Sequence, residues 1–185
     1  MPPISHFRRL YLRWFSRPGS DRCIYRNAPW GQIHSIVELG LGRGRRALRL
    51  IELAAETVAA GEIRYTGIDL FEARTATDPP GLTMLDAYRL LKPTGVRVRL
   101  APGDPYAALR ARANELRQTD LLVISAAIDQ DALAQAWFYI PRMLHSASQV
   151  FVETTGPQGR TAFRRLLPVH LEGLSASARP LRRAA

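Results

Sequence analysis

The segment Glu38-Leu39-Gly40-Leu41-Gly42-Arg43-Gly44 sets three glycines at alternate positions between a strand-like run at 36–39 and a helix-like stretch at about 45–60. Glycine lets the backbone turn sharply and approach a ligand closely, and free amides at a helix start favour a negatively charged group, so the pattern is how a nucleotide-type cofactor site begins. A dinucleotide fingerprint would want glycine at position 45, and Arg45 stands there. Two carboxylates follow in phase. Asp69, in Gly67-Ile68-Asp69-Leu70-Phe71, comes one helix and one strand after the glycines, where an acid can accept hydrogen bonds from both hydroxyls of a ribose. Asp104, in Gly103-Asp104-Pro105, stands just past the next strand, and Leu70 and Phe71 could cover the face of a base.

These residues need a scaffold that brings strand ends together. The sequence predicts strands at about 34–39, 63–70, 96–100, 120–125 and 149–153, with helices at about 45–60, 82–91, 106–118 and 130–144 between them. Strands alternating with helices imply right-handed crossovers and a mostly parallel sheet covered on both faces, an α/β three-layer sandwich. The apolar run Leu121-Leu122-Val123-Ile124 suits a central buried strand. Beyond Thr155 the reading is a helix at about 160–167, with a sixth strand near 169–174 as an option and no seventh, so the sheet is expected to be abbreviated at its C-terminal edge.

Across 30–156 the chain resembles the Rossmann-like (class I) S-adenosylmethionine-dependent methyltransferases, on the strength of Glu38-Leu-Gly-Leu-Gly-Arg-Gly44, Gly67-Ile-Asp69 and Gly103-Asp104. The resemblance implies S-adenosylmethionine as cofactor, held by Glu38, Gly40, Gly42, Gly44, Asp69, Leu70, Gly103, Asp104 and Ser125, with Asp104 accepting from the adenine amine. It also implies a cofactor sulfonium near Gly40 and Ser125. Methyl transfer is an in-line displacement that needs alignment first and a base second, and Asp129 and Glu153 are the weak candidates for that base. There are departures. The fourth strand ends in Ser125 rather than the acid that metal-dependent O-methyltransferases carry, and Ser125-Ala126-Ala127-Ile128 lacks the Asp/Asn-Pro-Pro-aromatic signature of enzymes that methylate nucleic-acid amines. His6, His34, His145 and His170 show no ligand spacing, so no metal site is expected. The function implied is methyl transfer to an unknown acceptor; the alternative is a non-catalytic relative that binds a partner through its basic ends.

Those ends carry the charge. The chain of 185 residues has a formal net charge of +10; residues 1–26 hold six Arg and one Asp, 157–185 hold six Arg and one Glu, and 27–156 hold fourteen of each sign. A basic end can serve nucleic acid or an anionic surface, while an arginine-biased composition, 25 Arg against Lys92 alone, equally suits a solubilising tail. The expected organisation is a basic N-terminal helical segment at 1–26, a cofactor-binding domain at 27–156, and a C-terminal helix with a basic, disordered tail at 157–185. In the first segment Phe7, Leu10, Tyr11, Trp14 and Phe15 share one face of a helix, a stripe that most often docks on its own domain. No apolar run reaches the roughly 18 to 20 residues a bilayer span needs, and Arg8, Arg9 and Arg13 interrupt any signal-peptide pattern. The single Cys23 precludes an internal disulfide and leaves the redox compartment open; with nothing pointing to secretion, the expectation is a cytoplasmic protein.

Overall fold

The computed structural model describes residues 5–178; the expected basic tail lies largely beyond them. Six strands form one sheet: β1 (Ser35–Leu39), β2 (Arg64–Asp69), β3 (Arg97–Pro102), β4 (Leu121–Ile124), β5 (Gln149–Thr155) and β6 (Thr161–Leu166). Their order is β3-β2-β1-β4-β5-β6, with the first five parallel and β6 antiparallel to β5. The chain builds outward from β1 to β3 and then returns to lay β4 on the other side of β1, which opens a crevice at the carboxyl ends of β1 and β4.

Alternation along the strands assigns each residue to a face. Ile36, Tyr65, Leu121, Val123 and Phe151 join one core, against α2 (Arg22–Asn27), α3 (Arg45–Ala54) and α4 (Met84–Leu91). Val37, Leu39, Leu122, Ile124 and Val150 join the other, against α5 (Pro105–Arg112), α6 (Gln130–Ala136) and α7 (Pro168–Ser177). This is the expected α/β sandwich, and β1 and β4, buried along their whole length, are its centre.

Three expectations need correction. The helix expected at 160–167 is strand β6, and the strand offered near 169–174 is helix α7. Gly156, Gln158 (φ 68°) and Gly159 (φ 71°) make a tight turn, closed by the Gly156 amide donating to the Arg160 carbonyl at 2.8 Å, which folds the chain back onto β5. Phe163 and Leu166 are three apart, a helical spacing, yet in the strand they lie on opposite faces and each enters a different core. Pro168 then starts α7 at a position where its missing N–H costs nothing.

The helices at 45–60, 106–118 and 130–144 are also shorter than expected, ending at Ala54, Arg112 and Ala136. After the last, Pro141 lacks a donor, and the chain tightens into a short 3-10 turn at Ile140–Arg142. The third correction concerns α1 (His6–Trp14). It docks through Leu12, through Arg8 on Glu52 and through Arg9 on Glu56, and it turns its aromatic stripe to solvent.

Candidate cofactor site

At the crevice lies a cleft of about 570 Å³, within the range of small-molecule sites. Its floor is the turn between β1 and α3. Gly40 (φ 85°), Gly42 (φ 55°) and Gly44 (φ 70°) all take left-handed backbone, which L side chains rarely adopt. At Gly40 a Cβ would stand 2.7 Å from Ile128 Cγ2 and 2.8 Å from Ser125 Cβ, so glycine is what lets the β1 turn close against the end of β4. At Gly42 a Cβ would meet nothing within 4 Å, because this stretch of backbone faces the open cleft.

Asp69 ties the turn to the end of β2. Its Oδ2 accepts from the Gly42 amide at 2.7 Å, and its Oδ1 accepts from the Leu70 amide at 2.7 Å and from Arg74 Nη2. Arg74 also donates to the Pro79 carbonyl and packs beneath Gly81, so the 74–81 loop is fastened to Asp69 along one wall of the cleft. Gly103 (φ 127°) and Asp104 line the cleft at the end of β3, where Asp104 Oδ1 also caps α5 by accepting from the Ala107 amide at 2.9 Å. Leu70 lines the cleft too. Phe71 does not; it is buried in the core beside α3, which corrects its expected place over a base.

Ser125 lines the far side, and its hydroxyl donates to Glu153 Oε2 at 3.2 Å. Of the two candidate bases, Asp129 lines the cleft; its Oδ1 caps α6 by accepting from the Asp131 and Ala132 amides, which leaves Oδ2 outside the cap. Glu153 stands behind Ser125 and also accepts from the Ala126 amide at 3.2 Å, a position that supports the β4 loop.

Glu38 has a different surrounding from the one its motif position suggests. It is fully buried beneath the glycine turn, with Oε1 accepting from Arg46 Nε at 2.7 Å and Oε2 from Tyr65 Oη at 2.5 Å. Burial pushes its carboxyl above the ordinary range, against the pull of Arg46 and Tyr65. Burial also works against the Arg46 cation, but Glu38, Asp21 and Glu153 overcome it and hold the guanidinium charged. Arg46 Nη2 donates to the Gly40 carbonyl at 3.1 Å, so this ion cluster fixes the turn from below.

Arg46, Asp21, Arg74 and Ile128 line the cleft without having been singled out from sequence. Arg46 had one usable signal, a cation eight residues after a buried acid. Asp21 had none, since it arrives from the N-terminal segment. It is 1% exposed, Tyr25 Oη donates to its Oδ2 at 3.2 Å, and its Oδ1 has no hydrogen-bond partner among the described residues.

Neither a protein-family model nor a curated protein sequence matches the chain. Solved structures do. The S-adenosylmethionine-dependent methyltransferase SibL, in its apo form, superposes with a TM-score of 0.50 at 15% identity, over 88% of this chain. A TehB-like SAM-dependent methyltransferase from Corynebacterium glutamicum superposes with a TM-score of 0.52 at 18% identity, over 93% of this chain and 78% of its own. This is a class I methyltransferase fold. The chain spans 42% of the length of SibL. Within that fold the sheet here closes with one antiparallel strand, β6, after the fifth.

Proposed function

We propose that the protein is an S-adenosylmethionine-dependent methyltransferase acting on an acceptor yet to be identified. The observation that carries this reading is the convergence of the Gly40–Gly44 turn, Asp69, Gly103–Asp104 and Ser125 on one cleft at the switch in strand order. The residues present suit the cofactor: a backbone cradle that a Cβ would fill, a carboxylate for ribose hydroxyls at the end of β2, and Leu70 with Gly103–Asp104 for the base. When bound, S-adenosylmethionine supplies an electrophilic methyl group for in-line transfer.

The chain's own contribution is alignment. Arg46 and Glu38 act as positioning residues, holding the turn in its left-handed form, and Ser125 is held by Glu153. Asp129 is the carboxylate best placed to take a proton from an acceptor, because one of its oxygens is outside the helix cap and it lines the cleft.

Calorimetric titration with S-adenosylmethionine and with its demethylated product tests the reading. Binding is expected, and Asp69→Asn should weaken it by about 1 to 3 kcal/mol, the range for an unmade hydrogen bond to a charged group. No binding by the intact chain would overturn the assignment; binding without turnover on any acceptor class would favour the non-catalytic alternative.

A further inference from the structure

We propose that α1 is an in-plane anchor for an anionic lipid bilayer surface. Phe7, Leu10, Tyr11 and Trp14 follow one another at i, i+3, i+4 and i+7, and they are 83%, 47%, 44% and 53% exposed; Phe15, at the helix end, is 65% exposed. Such a stripe ordinarily packs inward. Here the inward side is already taken, because Leu12 is in the core and Arg8 and Arg9 are paired with Glu52 and Glu56 on and just after α3. Among the described residues the aromatic face therefore has no partner left on its own domain.

Charge on the surrounding surface selects the occupant. Between residues 5 and 26 the sole acid is Asp21, which is buried, so every charge this segment turns outward is positive. Among the described residues Arg13, Arg17, Arg22 and Arg26 pair with no carboxylate, and Arg26 lies over the Trp14 ring at 5.2 Å, at the rim of the stripe. An apolar helix face with tryptophan and phenylalanine, on a segment whose outward charges are arginines, is the composition of helices that lie at the headgroup boundary of anionic membranes. Single-stranded nucleic acid prefers flat stacking platforms set in a basic groove; α1 instead presents a convex face that includes Leu10. Phe15 precedes Pro18, a cleft-lining residue, by three residues, at most about 10 Å of chain, so a docked α1 holds the cleft close to the headgroups. The inference does not depend on the methyltransferase reading.

The test is sedimentation of the full chain with vesicles of phosphatidylcholine alone and of phosphatidylcholine mixed with phosphatidylglycerol, at low salt and at about 0.5 M salt, where the Debye length is about 4 Å. Retention is expected on the anionic vesicles at low salt, with loss at high salt. A Phe7→Ser, Trp14→Ser variant should keep the parent's unfolding midpoint, since both side chains are exposed, and lose on the order of tenfold or more in partition. The parent's tryptophan emission should shift to the blue on binding and the variant's should not, because Trp30 and Trp137 are buried throughout. Equal partition into neutral and anionic vesicles, or retention unchanged in the variant, overturns the proposal. So does a dimer in size-exclusion chromatography that the variant loses, or a single-stranded RNA oligonucleotide that produces the same emission shift.

Discussion

Glu38 and Arg46 form a buried ion pair directly beneath the glycine turn, 2.7 Å from Oε1 to Nε, and the same guanidinium holds the Gly40 carbonyl. The pair supports the cleft from inside the protein rather than facing a ligand. Removing one partner from such a pair leaves a buried charge without compensation, which typically costs about 3 to 5 kcal/mol. Arg46→Ala is therefore expected to lower the free energy of unfolding by that order in denaturant titration. Glu38→Gln should cost less, since the amide keeps a hydrogen bond and Arg46 keeps Asp21 and Glu153 within 3.7 Å. An Arg46→Ala chain as stable as the parent would show the turn to be self-supporting.

Gly40 and Gly42 separate folding from binding. Gly40→Ala drives a methyl into Ile128 and the Ser125 Cβ at a left-handed backbone position, and overpacking of this kind costs about 1 to 3 kcal/mol beyond the backbone strain. Gly42→Ala meets no atom of the protein and carries only the strain, about 1 to 2 kcal/mol. Gly42 lines the cleft and a methyl there enters open space, so this variant should stay folded in a thermal melt and, if the proposed ligand lies against the turn, lose most of its affinity for S-adenosylmethionine. A Gly42→Ala protein that binds as the parent does would place the ligand away from the turn.

Asp69 and Arg74 predict opposite signs for neighbouring substitutions. In this structure Arg74 occupies Asp69 Oδ1, one of the oxygens proposed to receive a ribose hydroxyl. Arg74→Ala removes that competitor and should tighten binding of the demethylated cofactor by about tenfold, whereas Asp69→Asn weakens it. Calorimetry on the two single variants reads both effects. Weaker binding in Arg74→Ala would make the arginine a ligand group and the fastened loop a bound-state feature.

The sequence was most informative where one local rule decides the structure. Alternating glycines suit a turn and the short run Leu121–Ile124 fits a central buried strand, and with helices alternating between the strands the order of elements through β5 and the placement of Gly40, Asp69 and Asp104 at strand ends were legible. Where two periods compete, the reading failed. Phe163 and Leu166 satisfy a helix and an edge strand equally, and only the turn at Gln158 and Gly159 and the partner strand β5 decide between them. The aromatic stripe of α1 was legible as a stripe, but its direction depended on Glu52 and Glu56, more than forty residues away. Asp21 reaches the cleft from a segment with no motif, and no local pattern announces it.

Asp21 also sets a pH dependence whose sign follows from its surroundings. Burial raises its carboxyl above the ordinary 3.8, outweighing the lowering by Arg46 and the Tyr25 hydroxyl. A raised folded value means the native state binds the proton more tightly than the unfolded chain does, so this group favours folding most below the unfolded value and loses that contribution as pH rises through the folded value. Asp21→Asn removes the titration while keeping the shape, although the amide meets Arg46 and Arg49 without the attraction of a charge. The stability of the parent relative to Asp21→Asn should therefore fall as pH rises from about 4, where the unfolded carboxyl ionises, and level off once pH has passed the raised folded value. Paired denaturant titrations across that range provide the measurement. A difference that grows with pH would mean that Arg46 and Arg49 dominate, and that Asp21 is ionised in the fold at a lower pH than in the unfolded chain.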